Sequence, residues 1–186
     1  MKLIVAITGA SGSIYGIRLL ETLKRTSGIE THLIISSAAE KVISYETVYK
    51  DTAQVRQLAD YCYPDDELTA AISSGSFLTE GMIVAPCSAK TLSAVAHSYS
   101  ENLIARTCDV SLKERRKLIL LFRETPLTLA HIENMMKVTS MGGIILPPLP
   151  GFYTRPETID DLINHSIGKV LDLFGIEHTL FKRWGK

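Results

Sequence analysis

Residues 2–16 read KLIVAITGASGSIYG, an apolar, β-branched run that breaks into a Gly- and Ser-rich turn. Lys2–Thr8 has the near-continuous apolar character of a parallel strand buried on both faces. Gly9 ends it, and Ile14–Arg25 then places Ile14, Ile17, Leu19, Leu20 and Leu23 at helical spacing. Strand, tight turn and amphipathic helix in that order open a βαβ unit. The alternation runs to the end of the chain. Strands are expected at Glu30–Ile35, Gly81–Ala85, Lys117–Phe122 and Gly143–Leu146. Helices are expected at Ser37–Tyr45, Thr52–Tyr61 (with Asp51 as N-cap), Lys90–His97, Asn102–Arg116, Leu129–Val138 and Thr158–Phe174. No repeat, linker or low-complexity segment interrupts them. The expectation is one α/β domain over residues 1–186, a doubly wound, Rossmann-like parallel sheet.

Composition narrows the function classes. The 186 residues hold twenty Lys and Arg against twenty Asp and Glu, so the formal net charge is zero. A dedicated nucleic-acid binder carries a basic excess, and this chain does not. Mean hydropathy is slightly positive, high for a small chain whose surface-to-volume ratio demands polar cover. Burial between subunits accounts for it, and a homo-oligomer is expected. No apolar run reaches the roughly 18 residues a membrane helix needs, and Leu3–Ile7 is too short for a signal-peptide core. Cys62, Cys87 and Cys108 have no CxxC or metal-ligand spacing. They read as reduced thiols of a cytoplasmic protein.

In a doubly wound sheet the ligand lies beyond the carboxyl ends of the strands. The first such loop, Gly9-Ala10-Ser11-Gly12-Ser13, precedes a helix whose free N–H groups and dipole favour an anion. It is neither GxGxxG nor a P-loop. A tight turn explains it equally well, though the hydroxyls of Ser11 and Ser13 favour a mononucleotide such as FMN. Pro86-Cys87-Ser88-Ala89-Lys90-Thr91 supplies two hydroxyls and a lysine at another helix start, where an ordinary Ser N-cap is the competing reading. Cys87 lacks a placed activating His and reads as a buried structural thiol. Arg123 and Glu124 stand at the end of an apolar strand, as catalytic groups or as a surface ion pair. Arg106, Asp109 and Lys113 recur at helical spacing, so one face presents two cations, the alternative being a solvated charge run. Asp65-Asp66 and Asp160-Asp161 suggest magnesium–diphosphate chemistry, but a loop and a helix first turn explain them more simply. His97, His131 and His165 stand isolated on helices. No metal site is expected.

Taken together and in order, Gly9-Ala10-Ser11-Gly12 with Tyr15-Gly16, Pro86-Cys87-Ser88-x-Lys90-Thr91-Leu92, Asp109-Val110-x-Leu112-Lys113-Glu114-Arg115, Arg123-Glu124-x-Pro126, Pro147-Pro148-x-Pro150-x-Phe152-Tyr153 and Arg183-Trp184 resemble the UbiX-type flavin prenyltransferases over essentially the whole chain. These were formerly described as phenylacrylic acid or polyprenyl-hydroxybenzoate decarboxylases. The resemblance implies a metal-independent transferase, a homododecamer, that joins the dimethylallyl group of dimethylallyl phosphate to N5 and C6 of reduced FMN. The product, prenylated FMN, passes to UbiD-type decarboxylases. It further implies that Gly9, Ala10, Ser11, Ser36, Ser88, Ala89, Lys90, Thr91 and Arg123 contact FMN, and that Tyr153 and Lys169 hold the prenyl phosphate. Arg106 and Lys113 match further cationic positions, and Glu46 and Glu124 the acidic residues near the reacting centre. Leu68 stands where some members carry tryptophan. Two alternatives remain. A flavin-dependent cysteine decarboxylase would need PASANT and PxMNxxMW segments and a His after the second strand, which are lacking here. A non-catalytic FMN carrier would not need the cations around Arg106 and Lys113.

Overall fold

The computed structural model describes residues 1–185. Two compact units are present, Met1–Pro147 and Pro148–Lys186.

The first unit is built on a six-stranded sheet: β1 (Lys2–Ile7), β2 (Glu30–Ile35), β3 (Tyr61–Pro64), β4 (Gly81–Cys87), β5 (Lys117–Phe122) and β6 (Ile144–Ile145). Every pairing is parallel, and the strand order is β3-β2-β1-β4-β5-β6. Parallel neighbours require crossovers, and helices supply them: α1 (Ser13–Lys24), α2 (Ser37–Glu46), α3 (Thr52–Arg56), α4 (Ala89–Ala96), α5 (Leu103–Lys113) and α6 (Leu129–Ser140). The doubly wound α/β expectation holds.

Strand alternation sends side chains to two faces. Ile4, Ala6, Met82, Val84, Leu118 and Leu120 join Leu92, Val95, Leu103, Ile104, Cys108 and Val138 in one buried cluster beneath α4, α5 and α6. Leu3, Val5 and Ile7 point the other way and are fully buried. There α1 lies so close that a Cβ on Gly16 would fall 2.7 Å from the Ile7 side chain.

One expected element is corrected. The helix read over Thr52–Tyr61 is five residues long and gives way to β3, an edge strand. Tyr61-Cys62-Tyr63-Pro64 shows no apolar alternation because an edge strand is half solvated, and Pro64 is tolerated there. What holds β3 is the buried ring of His32 on β2, stacked on Tyr61 at 4.9 Å and on Tyr63 at 5.9 Å.

The second unit carries α7 (Ile159–Phe174), preceded by a 3₁₀ turn at Phe152–Thr154. A capping box starts α7: Thr158 Oγ1 accepts from Asp161 N, and the Asp161 carboxylate accepts from Thr158 N at 2.9 Å. Asp160-Asp161 is thus a helix-start feature, as the simpler reading expected. Gly175 ends the helix in the left-handed region.

Candidate active site

The strand order reverses direction between β1 and β4, the switch point where sheets of this kind bind ligands. The Gly9–Ser13 loop and the Ser88-bearing loop after β4 both leave the sheet there. Thr8, almost fully buried, ties them together. Its hydroxyl donates to the Pro86 carbonyl at 2.7 Å and accepts from Ser88 N at 2.9 Å. Gly12 turns with φ of 99°, open to glycine at no steric cost. Gly9 lets α2 approach, since a Cβ there would lie 2.6 Å from Ala38 Cβ. Beyond the turn, the amides of Gly12 and Ser13 donate to Glu46 Oε2 at 2.7 and 3.3 Å. A carboxylate therefore sits on the positive end of α1, where an anion is favoured.

Strands β2, β1 and β4 are neighbours, so the starts of α2, α1 and α4 line one sheet edge. Ser36 Oγ accepts from Ala39 N at 3.2 Å, and Ser88 Oγ from Thr91 N at 3.3 Å. Both are N-caps, as the plainer reading held for Ser88, and Ser88 Oγ also meets Thr91 Oγ1 at 3.1 Å. Lys90 leans away to pair with Glu101 at 2.5 Å. A cavity of about 520 Å³ opens beyond Ile35 and Pro64, lined also by Ser37, Arg56, Asp65 and Lys90. Ser13 Oγ is buried and has no hydrogen-bond partner. Buried hydroxyls are rarely left unpaired. An orphaned hydroxyl at a Gly-rich helix start, with two more helix starts beside it, fits the phosphate and polar chain of a mononucleotide.

Arg123 and Glu124 follow β5 at the same edge. Glu124 accepts from Thr125 N at 3.1 Å rather than from Arg123, so the surface ion pair does not form. The Arg123 charge acts on the Tyr15 phenol, whose pKa is nevertheless raised, chiefly by burial. Arg106 and Lys113 do share a face of α5, but each has a local acidic partner, Asp109 at 3.4 Å and Glu114. The structure brings them to the Ser73–Phe77 segment: Arg106 Nε donates to the Ser73 carbonyl at 3.3 Å. Arg116 holds the same segment through the carbonyls of Gly75 and Phe77, at 2.5 and 2.7 Å. Asp65 is more than a loop acid, since its carboxylate accepts from Asn102 Nδ2 and Ile104 N at the start of α5.

In the second unit, Tyr153 and Lys169 share a neighbour, His165. Tyr153 Oη lies 3.1 Å from His165 Nε2. Burial first, and the Lys169 charge second, hold the imidazole below its usual range. His165 is therefore not isolated as expected. Nor is His97, which stands between the Ser93 carbonyl at 2.8 Å and Lys137 Nζ at 2.9 Å. His131 completes the N-terminal capping box of α6. Sequence reading missed Thr8, Arg116 and His165. Of these only His165 left a signal, lying one helical turn before Lys169. Cys87 is fully buried and its thiol is pushed far above the usual range by desolvation, which removes it as a nucleophile. Among the described residues no three His, Cys, Asp or Glu side chains gather as a metal site would require.

This site, on this sheet, defines a class: residues 1–171 match the model of the Flavoprotein family. Within that class the likeness is closer. The chain is 52% identical over 184 residues to the flavin prenyltransferase UbiX of Thauera aromatica, covering 99% of this chain and 94% of the relative. The crystal structure of AnUbiX in complex with FMN and dimethylallyl pyrophosphate superposes with a TM-score of 0.96 at 48% identity, covering 100% of this chain and 97% of that one. A dodecameric FMN-dependent UbiX-like decarboxylase from Escherichia coli O157:H7 gives 0.97 at 47% identity, with both chains fully covered. The chain belongs to the UbiX-type flavin prenyltransferase family.

Proposed function

We infer that the protein is a flavin prenyltransferase that joins the dimethylallyl group of dimethylallyl phosphate to N5 and C6 of reduced FMN, making prenylated FMN. The observation that carries this is its 48% identity, over the full chain, to a structure holding FMN and a dimethylallyl donor. The three helix starts around the orphaned Ser13 hydroxyl support it from the side of the residues.

Gly9, Ala10, Ser11, Ser36, Ser88, Ala89, Lys90, Thr91 and Arg123 hold FMN, through backbone N–H groups, hydroxyls and two cations. Because Lys90 rests on Glu101 and Gly12 N on Glu46, FMN binding exchanges these carboxylate contacts for phosphate contacts. Tyr153 and Lys169 bind the prenyl phosphate, with Arg106 and Lys113 as further cations. A monophosphate leaves poorly, and preorganised cations stabilise the charge that develops on it as the allylic C–O bond breaks. Reduced FMN supplies the nucleophilic atoms and a π-face that shelters the allylic cation. Glu124, and Glu46 beside it in role, carry the proton released from C6.

No metal is required, since side-chain cations do the work of a Lewis acid. Residues 1–186 serve as one FMN-binding flavoprotein domain, a reading supported by a family match that runs from the first compact unit into the second. The protein works in the cytoplasm as a homododecamer and hands its product to a UbiD-type decarboxylase. The test is anaerobic turnover of reduced FMN with dimethylallyl phosphate, followed by flavin absorbance, before and after EDTA treatment. Equal rates are expected. Loss of turnover with the metal removed would overturn the metal-independent reading.

A further inference from the structure

His165 is buried on α7, and its ring has little room to turn. Tyr153 meets it edge-on at 5.6 Å and Phe181 lies tilted at 4.9 Å. A Cβ on Gly151 would fall 2.8 Å from its Cε1. Of its two nitrogens, Nε2 faces Tyr153 Oη at 3.1 Å, while Nδ1 is buried with no hydrogen-bond partner. This asymmetry chooses the tautomer. A proton on Nδ1 would be a buried donor with nothing to accept it, and orphaned N–H groups are rarer than under-used acceptors. With the proton on Nε2, Nδ1 keeps only a lone pair. The imidazole then donates to the Tyr153 oxygen, and the phenol cannot spend its own proton on His165. Burial and the nearby Lys169 ammonium keep the ring neutral, so this tautomer is the form at neutral pH.

We propose that His165 is a positioning residue: its Nε2–H occupies the Tyr153 oxygen and turns the hydroxyl proton outward, as a donor to a phosphate oxygen of the prenyl substrate. The inference rests on the reading that Tyr153 binds that phosphate. Lys169, one helical turn further along α7, adds the charge. The hydroxyl adds direction, and its direction is set from behind by His165.

A double-mutant cycle separates this role from a structural one. His165→Leu, Tyr153→Phe and the double variant are compared by KM for dimethylallyl phosphate, by kcat, and by FMN affinity. Tyr153→Phe is expected to raise KM about tenfold, the usual loss for a hydrogen bond to a charged group. His165→Leu should raise it several-fold in the wild-type background and not at all in the Tyr153→Phe background, with FMN affinity unchanged. His165→Gln, whose amide reaches the Nε2 position, should restore most of the loss, and His165→Asn, whose amide reaches only Nδ1, should not. This pair also decides the matter if the Leu variant fails to fold. An equal KM increase from His165→Leu in both backgrounds, or Gln no better than Asn, would overturn the positioning role while leaving Tyr153 as a phosphate ligand. An unchanged KM in Tyr153→Phe would overturn the phosphate reading itself, and this inference with it.

Discussion

At the scale of single residues, the proposed division of labour between two phosphates rests on Tyr153 and Lys169. Lys169→Ala and Tyr153→Phe are expected to weaken use of dimethylallyl phosphate while leaving FMN affinity nearly unchanged. The lysine should cost more, because it brings a full positive charge to the phosphate as well as a hydrogen bond, whereas the tyrosine brings the hydrogen bond alone. Isothermal titration with FMN beside steady-state KM for the prenyl phosphate checks this, and loss of flavin in both variants would contradict it. Glu124→Gln keeps size and hydrogen-bonding reach but cannot exchange a proton. Since Glu124 does not pair with Arg123, removing its charge should leave FMN binding intact. Single-turnover formation of prenylated flavin should fall by about 10²–10⁴-fold. A wild-type rate would remove Glu124 from the mechanism. At this scale the sequence displays residue types and spacing but not partners. Arg106 and Lys113 were legible as one helical face, yet their engagement with Ser73–Phe77 depends on chain some thirty residues away. His165 looked solitary because Tyr153 reaches it through a 3₁₀ turn with no periodic signature.

At the scale of elements, buried strands and their following loops were the most readable features. A strand such as Lys117–Phe122, whose last five residues are all apolar and buried, is specified by its own residues. The edge strand β3 was not, because its partner rather than its composition decides it. That partnership makes β3 sensitive to acid. His32 stacks on Tyr61 and Tyr63, accepts or donates at Tyr63 Oη and Glu30, and is faced also by Phe77, Lys2 and Asp60. Burial outweighs the Glu30 carboxylate and holds its pKa below the ordinary value. The unfolded chain, titrating near 6.5, therefore binds more protons between the folded value and about 6.5. Stability is full above that pH and falls as pH drops through it. Wild-type Tm is expected to decrease between about pH 7.5 and 5.5, with a smaller decrease in His32→Gln. Parallel profiles would show that His32 does not contribute. Beyond the interior strand β4, the Ser88 cap supports α4 as well as the proposed flavin loop. Ser88→Ala should cost about 1 kcal/mol of stability by denaturant melts, together with weakened FMN binding. Normal flavin affinity would leave Ser88 a cap only.

At the scale of the whole molecule, the positive mean hydropathy has a visible counterpart. Leu129, Ile132 and Met136 stand exposed on one side of α6, and Tyr45 and Val48 are each more than 85% exposed. Exposed apolar side chains grouped on one helix face mark an interaction face. A second copy of the chain is the proposed cover, by likeness to the dodecameric relative. Light scattering at micromolar concentration should return an oligomeric mass, lowered by Ile132→Glu with Met136→Glu. A monomeric wild-type mass would contradict it. All these roles converge on one reaction, and mass spectrometry of the flavin tests that reaction most directly. Purified protein is incubated anaerobically with reduced FMN and dimethylallyl phosphate, and the extracted flavin is weighed. The account predicts FMN heavier by one dimethylallyl unit, with phosphate released in equal amount. Unmodified FMN, bound but unchanged, would reduce the protein to a flavin carrier and contradict the account.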